Sequence, residues 1–496
     1  KEKAKQKRKA DRKKRRSTTP DVSDVERFSG RLLTMVKRTT VNVTENSGTT
    51  LPGYMDSTRF MGINDRTMAP GLDFVYGYQP DRPWLERQAA NNKLSRDSLF
   101  NAQFQQQYSQ TINLVTTLEP IKDLRIDMTL TQTFSKSLNE LFKDTTFGVS
   151  GVFTHNNIYE TGSFTVSYIG LKTLFQGGGV NTGAFAQMMN NRTTISDRLG
   201  AANPYVNGAT NPGNADYKKG YTEYSQDVLI PSFISAYTGK KASDVGLINY
   251  DNRNIRNNPF KAYKPMPNWN VRYNGLTKIP AIADVFSNLV VNHRYTGTLS
   301  MNSFVSALYY QDIYNLGFPS FIDSNSGNFV PFFQVPNITI SEQLNPLIGF
   351  DAAMKNNLTG SFEYRKSRTV SLSLIDYQVS ETNSTEYVAG LGYRVKGPIL
   401  PFEVFGVKQL KNELNLKVDV SVRDDKTSNN YLAQNLSIIT RGQKVITISP
   451  SVNYIVSDKL TLRFFFDRRR SIPYITSSYP ITTTRAGVTL RFIFAQ

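Results

Sequence analysis

Apolar and polar positions alternate through the last twelve residues, RAGVTLRFIFAQ: Val488, Leu490, Phe492 and Phe494 share one face of a strand, and Arg485, Thr489 and Arg491 the other. A soluble sandwich strand would show the same alternation, so the pattern upstream decides. In 411–424 the apolar set is Leu414, Leu416, Val418, Val420 and Val422, against Asn415, Lys417, Asp419, Ser421 and Arg423. In 459–468, Leu460, Leu462, Phe464 and Phe466 oppose Lys459, Thr461, Arg463 and Asp467; in 123–132, Leu124, Ile126, Met128 and Leu130 oppose Arg125, Asp127, Thr129 and Thr131. Sandwich strands run to about 5–6 residues. These stretches run to ten or more, the length that crosses a bilayer at a tilt. The pattern therefore predicts an all-β fold, a transmembrane antiparallel barrel.

Two tight connections, Glu119-Pro120-Ile121-Lys122-Asp123 and Ser457-Asp458-Lys459, set the direction, because outer-membrane barrels keep short turns on the periplasmic side. Strands are then expected at 31–44, 109–119, 123–136, 147–156, 161–170, 268–276, 290–303, 334–353, 357–379, 384–395, 411–424, 431–455, 459–469 and 482–495. That makes fourteen, alternating up and down, with the C-terminus in the periplasm. The long remainders 45–108, 171–267 and 304–333 fall outside the cell and hold turn signals such as Gly177-Gly178-Gly179 and Asn203-Pro204. Short helices are expected at Asp227–Gly239, within 82–106, and at 277–289 on the periplasmic side. Loops of this length are functional or disordered. The apolar cluster Val228, Leu229, Ile230, Phe233 and Ile234 in an otherwise polar loop reads either as a partner-contact patch or as the loop's own small core.

Composition changes the picture in four places. No run approaches 18 apolar residues, so neither a transmembrane helix nor a secretory signal is expected, and a first residue of Lys1 suggests a piece of something longer. Cysteine is absent, which excludes disulfides and thiolate metal sites. Aromatics make up 12% of the chain, enough for belts at both membrane surfaces, and Trp269 reads as one such anchor. Residues 1–16 concentrate a charge of +9 out of the chain's +19, leaving +10 for the rest. The domain plan is thus a basic periplasmic arm over 1–30 and a barrel segment over 31–496. The arm reads as a solvated segment; a pull toward anionic lipid or nucleic acid is the alternative, and the lack of a stacking aromatic in it argues against nucleic acid.

No catalytic constellation emerges. His155 and His293 are the only histidines, both expected near periplasmic strand ends, with neither a HExxH motif nor a G-x-S-x-G elbow. Inner-face carboxylates alternate with cations instead of clustering. Neither enzyme activity, cofactor nor metal is expected. The polar wall, Arg125, Asp127, Glu363, Arg365, Arg394, Lys417, Asp419, Arg423, Arg463, Arg485 and Arg491, reads either as simple hydration of an interior or as a pore lining whose charge tunes passage.

The stretch 336–374 (PNITISEQLNPLIGFDAAMKNNLTGSFEYRKSRTVSLSL), the final 443–496, and the segments APGLDFVYG at 69–77 and DVLIPSFISAYTG at 227–239 resemble the C-terminal part of the SprA/Sov family. That family is the outer-membrane translocon of the Bacteroidetes type IX secretion and gliding motility system. The resemblance implies one very large barrel of which this chain supplies about fourteen strands, exporting folded cargo with C-terminal signal domains. It also implies as partners the rest of the same polypeptide, a PorV-like accessory outer-membrane barrel, a plug protein and outer-membrane lipid. The alternative is a self-contained barrel for small or apolar solutes; an outer-membrane lipase or protease is the third reading, disfavoured by the histidines. The absence of a Walker loop means that energy for transport comes from elsewhere.

Overall fold

The structure is a computed structural model that describes residues 29–30, 34–97, 99–146, 152–176, 183–249, 254–404, 407–409, 412–434, 436–457 and 459–493. Nearly all of the expected basic arm, Gly177-Gly178-Gly179, Asp458 and Phe494 lie outside the described residues.

Antiparallel strands dominate. The first is β1 (Val36–Thr50), followed by helices α1 (Leu72–Val75) and α2 (Arg82–Ala90). Next come β2 (Phe104–Leu118), β3 (Leu124–Asp144) and β4 (Phe153–Ser167). A helical insert holds α3 (Leu171–Leu174), α4 (Gly183–Ala202) and α5 (Gln226–Thr238). After it come β5 (Asn268–Tyr273), α6 (Pro280–Ala283), β6 (Phe286–Ser306) and β7 (Phe333–Gln334). The chain continues through β8 (Asn337–Met354), β9 (Leu358–Ser373), β10 (Gln378–Lys396), β11 (Ile399–Val404) and β12 (Val407–Gln409). It ends with β13 (Glu413–Tyr431), β14 (Leu436–Ser457), β15 (Leu460–Pro473) and β16 (Ile481–Phe492).

One sheet runs β1-β2-β3-β4-β6-β8-β9-β10-β13-β14-β15-β16, with β5 and β7 beside it and β11-β12 as a separate hairpin. Among the described residues β1 pairs only with β2, and β16 only with β15. The sheet therefore has two open edges.

The expected strands 147–156 and 161–170 are one strand, β4, running in one direction. Asn157 takes a positive φ there and shifts the register without reversing the chain. The wall strand that β4 begins is completed by β5. Both pair with β3, β4 along Gln132–Asp144 and β5 along Leu124–Thr129, and both pair with β6. The seam is closed by Met266 N–H donating to Ser167 O at 2.8 Å, and by Tyr168 N–H donating to Gly297 O at 2.9 Å. The chain thus leaves the wall at Tyr168, in mid-strand, and returns about a hundred residues later at the point where it left. Segment 171–267 is an insert in a strand, not a loop joining two strand ends.

Other strands differ from expectation in their bounds. The 357–379 strand ends at Ser373 and turns at Leu374–Tyr377, and the 411–424 strand continues to Tyr431. Ser, Thr and Asn occupy these extensions and weaken the alternation without breaking the ladder. The expected helix at 277–289 is reduced to a 3-10 turn at Gly275–Lys278 and the single turn α6, because β6 already starts at Phe286. By contrast α2 and α5 form where the pattern placed helices. At about 3.3 Å per residue the 21 residues of β3 span about 70 Å, more than twice what a bilayer crossing needs. The turns at 119–123 and 355–357 mark one end of the wall, here the turn end; the insert packs toward the other, the loop end.

Candidate functional site: a wall with two faces

Cross-strand rows hold the two faces of the sheet apart. On one face, toward the turn end, lies an apolar band. Leu358, Tyr393, Leu416, Val452, Phe464 and Val488 sit side by side on six successive strands, as do Gly360, Leu391, Val418, Pro450, Phe466 and Ala486. The band is solvent-facing: Leu391 is 60% exposed, Val488 57% and Phe464 44%. Tyr364 and Tyr387 stack at 4.8 Å at its loop-end margin, and Tyr393 lies near the other.

The insert packs on this same face, beyond the band. Phe134, Phe164, Met301, Ile340, Val370 and Leu372 carry the wall's half of a core whose other half is Met188, Ile195, Val228, Leu229, Ile230, Phe233 and Ile234. Since β9 and β10 pair from Ser373 and Gln378 down to Leu358 and Tyr393 without a shift, Leu372 and Phe362 are on one face. The cluster Val228, Leu229, Ile230, Phe233 and Ile234 is fully buried, so it is the insert's own core and not an open partner-contact patch. Burying each such side chain stabilises by about 1.5–3 kcal/mol. The loops expose other residues, Leu308, Tyr309 and Tyr314, the first two on a groove of about 680 Å³ that Tyr224, Phe329 and Tyr377 also line.

Two buried ionic clusters fasten the covering elements. Arg368 donates to Glu342 Oε2 at 2.5 Å and to Thr173 O at 2.8 Å, and Glu342 accepts from Tyr295 Oη at 2.9 Å. Nearer the loop end, Lys136 lies 2.7 Å from Glu160, and Arg82 at the start of α2 lies 3.9 Å from Glu140. Asp81 caps α2 by accepting from Trp84 N–H, which fixes Arg82 over these carboxylates. Burial pushes the Tyr221 and Tyr263 phenols in the insert well above their ordinary value.

The opposite face is mainly polar, with Val388, Val445 and Phe465 among its apolar exceptions. Hydroxyl pairs step across it: Ser135 with Ser163 at 2.8 Å, Thr165 with Ser300 at 3.0 Å, Thr339 with Ser371 at 3.2 Å, Thr382 with Thr427 at 3.0 Å. All eleven wall residues named from the sequence stand on it. Asp127 accepts from Arg125 at 3.0 Å, Lys417 is 2.8 Å from Asp419, and Arg365 bonds both Glu363 and Glu386, the latter at 3.1 Å. Arg423 donates to Asp425 at 2.8 Å and Arg394 to Asn415 at 3.1 Å. Arg485 opposes Asp467, Arg463 lies between Asn453 and Thr489, and Arg491 beside Thr461. Glu386 and Asp425, not singled out from the sequence, complete these pairs; the alternation of Asp425 with Arg423 was an available signal, whereas Glu386 meets Arg365 only across the ladder of β9 and β10. So did Glu342 and Arg368 escape notice, since a charge on the apolar parity reads as an interruption.

His155 is at the loop end of β4, not the turn end, because β4 runs from Phe153 downward; its Nδ1 is 3.1 Å from Glu140. His293 is in mid-strand at a bulge of β6, its Nδ1 2.6 Å from Leu347 O. Trp269 is no belt anchor: it stacks on buried Tyr295 at 4.7 Å beneath the insert. Among the described residues no group of three His, Cys, Asp or Glu is placed to hold a metal, and no helix is long and apolar enough to cross a membrane.

The geometry defines an antiparallel β protein with one apolar-banded and one polar face. No family model matches the chain, and no curated protein does. Among solved structures, the anion-selective porin from Comamonas acidovorans aligns with 79% of this chain and 95% of its own at 9% identity, with a TM-score of 0.13. A likeness that loose carries no argument.

Proposed function

We propose that this chain is a wall segment of a large bacterial outer-membrane β-barrel that conducts folded proteins to the cell surface without chemistry of its own. The observation that carries the reading is the separation of faces. A band of exposed apolar side chains suits lipid, and the insert packs on that same side, beyond the band. The polar face is left clear, so the insert would flank the conduit and not plug it. Closely spaced opposite charges, with a cationic excess from Arg394, Arg463, Arg485 and Arg491, give that face a hydrated, mildly positive lining along which protein surfaces could pass. The two open edges support a wall continued by further strands over a self-contained barrel for small or apolar solutes, because unpaired backbone is not tolerated in hydrocarbon. The resemblance to SprA/Sov supplies the cargo class and the partners: proteins with C-terminal signal domains, a PorV-like barrel and a plug.

A photo-crosslinking residue tests this in secreting cells. Placed at Ser367, on the polar face, it is expected to capture cargo in transit; placed at Leu391, in the band, it is expected to capture none. Cargo adducts from Leu391 alone would overturn the assignment of faces.

A further inference from the structure

On β15 the run Phe464-Phe465-Phe466-Asp467-Arg468-Arg469-Arg470 changes chemistry within three residues. Arg468 and Arg470 continue the parity of Phe464 and Phe466, so they stand on the apolar-band face at its loop-end margin. Their Cα atoms are about 7 Å apart by strand geometry. Lys444 on β14 opposes Ile472 and is therefore the diagonal neighbour of Arg470 on that face. All three are exposed, and among the described residues no ion pair within 4.0 Å involves any of them. The one carboxylate opposite them in register, Asp424 beside Lys444, instead accepts from Tyr474 Oη at 2.8 Å. Thr484 and Thr482 on β16 lie directly across from Arg468 and Arg470 and add hydroxyl donors.

With one carboxylate, Asp424, facing three cations, a net positive charge remains at this margin, and an anion placed between Lys444, Arg468 and Arg470 relieves their mutual repulsion. Immediately below them lie exposed Phe464, Phe466 and Val488. A ligand fitting both features has several acceptor oxygens at one end and hydrocarbon at the other. We propose that Lys444, Arg468, Arg470, Thr482 and Thr484 form a site for the phosphate-bearing headgroup of a membrane lipid, its acyl chains lying over Phe464, Phe466 and Val488. The proposal rests on the reading of the band as lipid-facing.

The test measures retention of lipid A by the purified full chain in neutral detergent micelles. Lipid A is expected to be retained, fully dephosphorylated lipid A to bind about tenfold more weakly or worse, and millimolar inorganic phosphate to leave lipid A bound. The triple variant K444Q/R468Q/R470Q is expected to lose that preference, and R469Q, on the other face, to keep it. If the triple variant fails to fold, R468Q and R470Q singly are expected to weaken lipid A about threefold each. Equal binding of the two lipids by the wild type, or displacement by free phosphate, would overturn the site. A separate readout isolates the underlying reading: V488W should be quenched by lipids with brominated acyl chains. Quenching without headgroup preference would sink the site and spare the lipid-facing band; no quenching would sink both.

Discussion

Arg368 and Glu342 meet at 2.5 Å on neighbouring strands, each side chain 1% exposed, and the same guanidinium reaches Thr173 and Tyr237 in the insert. One ion pair therefore ties the wall to the element covering it. Removing one partner of a buried pair leaves an uncompensated charge and costs about 3–5 kcal/mol. Arg368→Met is thus expected to loosen the insert, read as faster proteolysis within 183–249, while strands β13–β16 keep their protection. The double variant Arg368→Met/Glu342→Met should recover part of that loss. A double variant as unstable as the sum of the singles would refute the coupling.

The pairs on the polar face should behave differently. Lys417 and Asp419 are half exposed, and exposed pairs contribute about 0–1 kcal/mol. Lys417→Gln is expected to leave thermal unfolding nearly unchanged and to alter only the traffic of charged solutes or cargo. A stability loss as large as that of Arg368→Met would show that this face is buried in the assembled protein.

Since the chain has no cysteine, single cysteines map the faces directly. A membrane-impermeant thiol reagent is expected to label positions 417, 419 and 463, and to spare 416, 418, 420, 462 and 464 in membranes. A one-residue slip would invert each strand, so the outcome is all or nothing per strand. Labelling of Val418→Cys over Lys417→Cys would reject the orientation.

The band on β13 was legible because Leu414 to Val422 alternate with charges without interruption. The eleven wall residues followed from the same parity. What the alternation does not encode is what covers an apolar face. Leu358 and Leu372 have the same parity on β9, yet Leu358 lies in the open band and Leu372 under the insert. The seam was illegible for a related reason. Ser167 and Met266 are adjacent only through the ladders of β3 and β6, and alternation within each segment shows a strand without showing that two segments about a hundred residues apart continue one another in the same direction.

The seam makes its own prediction. Gly297 faces it, and a Cβ there would collide with the Tyr168 carbonyl and the Tyr295 hydroxyl. A backbone carbonyl cannot swing aside, so Gly297→Ala is expected to cost about 1–3 kcal/mol and open the seam. Gly48 on β1 has nothing within 4 Å, and Gly48→Ala serves as the neutral control. Hydrogen exchange at Tyr168 and Met266 reads the effect: faster exchange in the first variant alone is expected, and equal exchange in both would mean the seam yields.

The open edges separate a wall segment from a closed small barrel. In β1 the outward residues Val41 and Val43 are each 57% exposed, as is Val488 in β16. In a closed barrel of this chain alone the two strands would pair, bringing outward residues about 4.5–5.5 Å apart. Cysteine pairs scanned along 39–45 and 484–490 in the membrane-assembled protein are expected to give no disulfide within the chain under mild oxidation. Each edge cysteine should instead be protected from labelling reagents by whatever strand adjoins it. An efficient β1–β16 disulfide at one register would establish closure, exclude the wall-segment reading, and leave a conduit too narrow for folded cargo, because lumen width follows strand number.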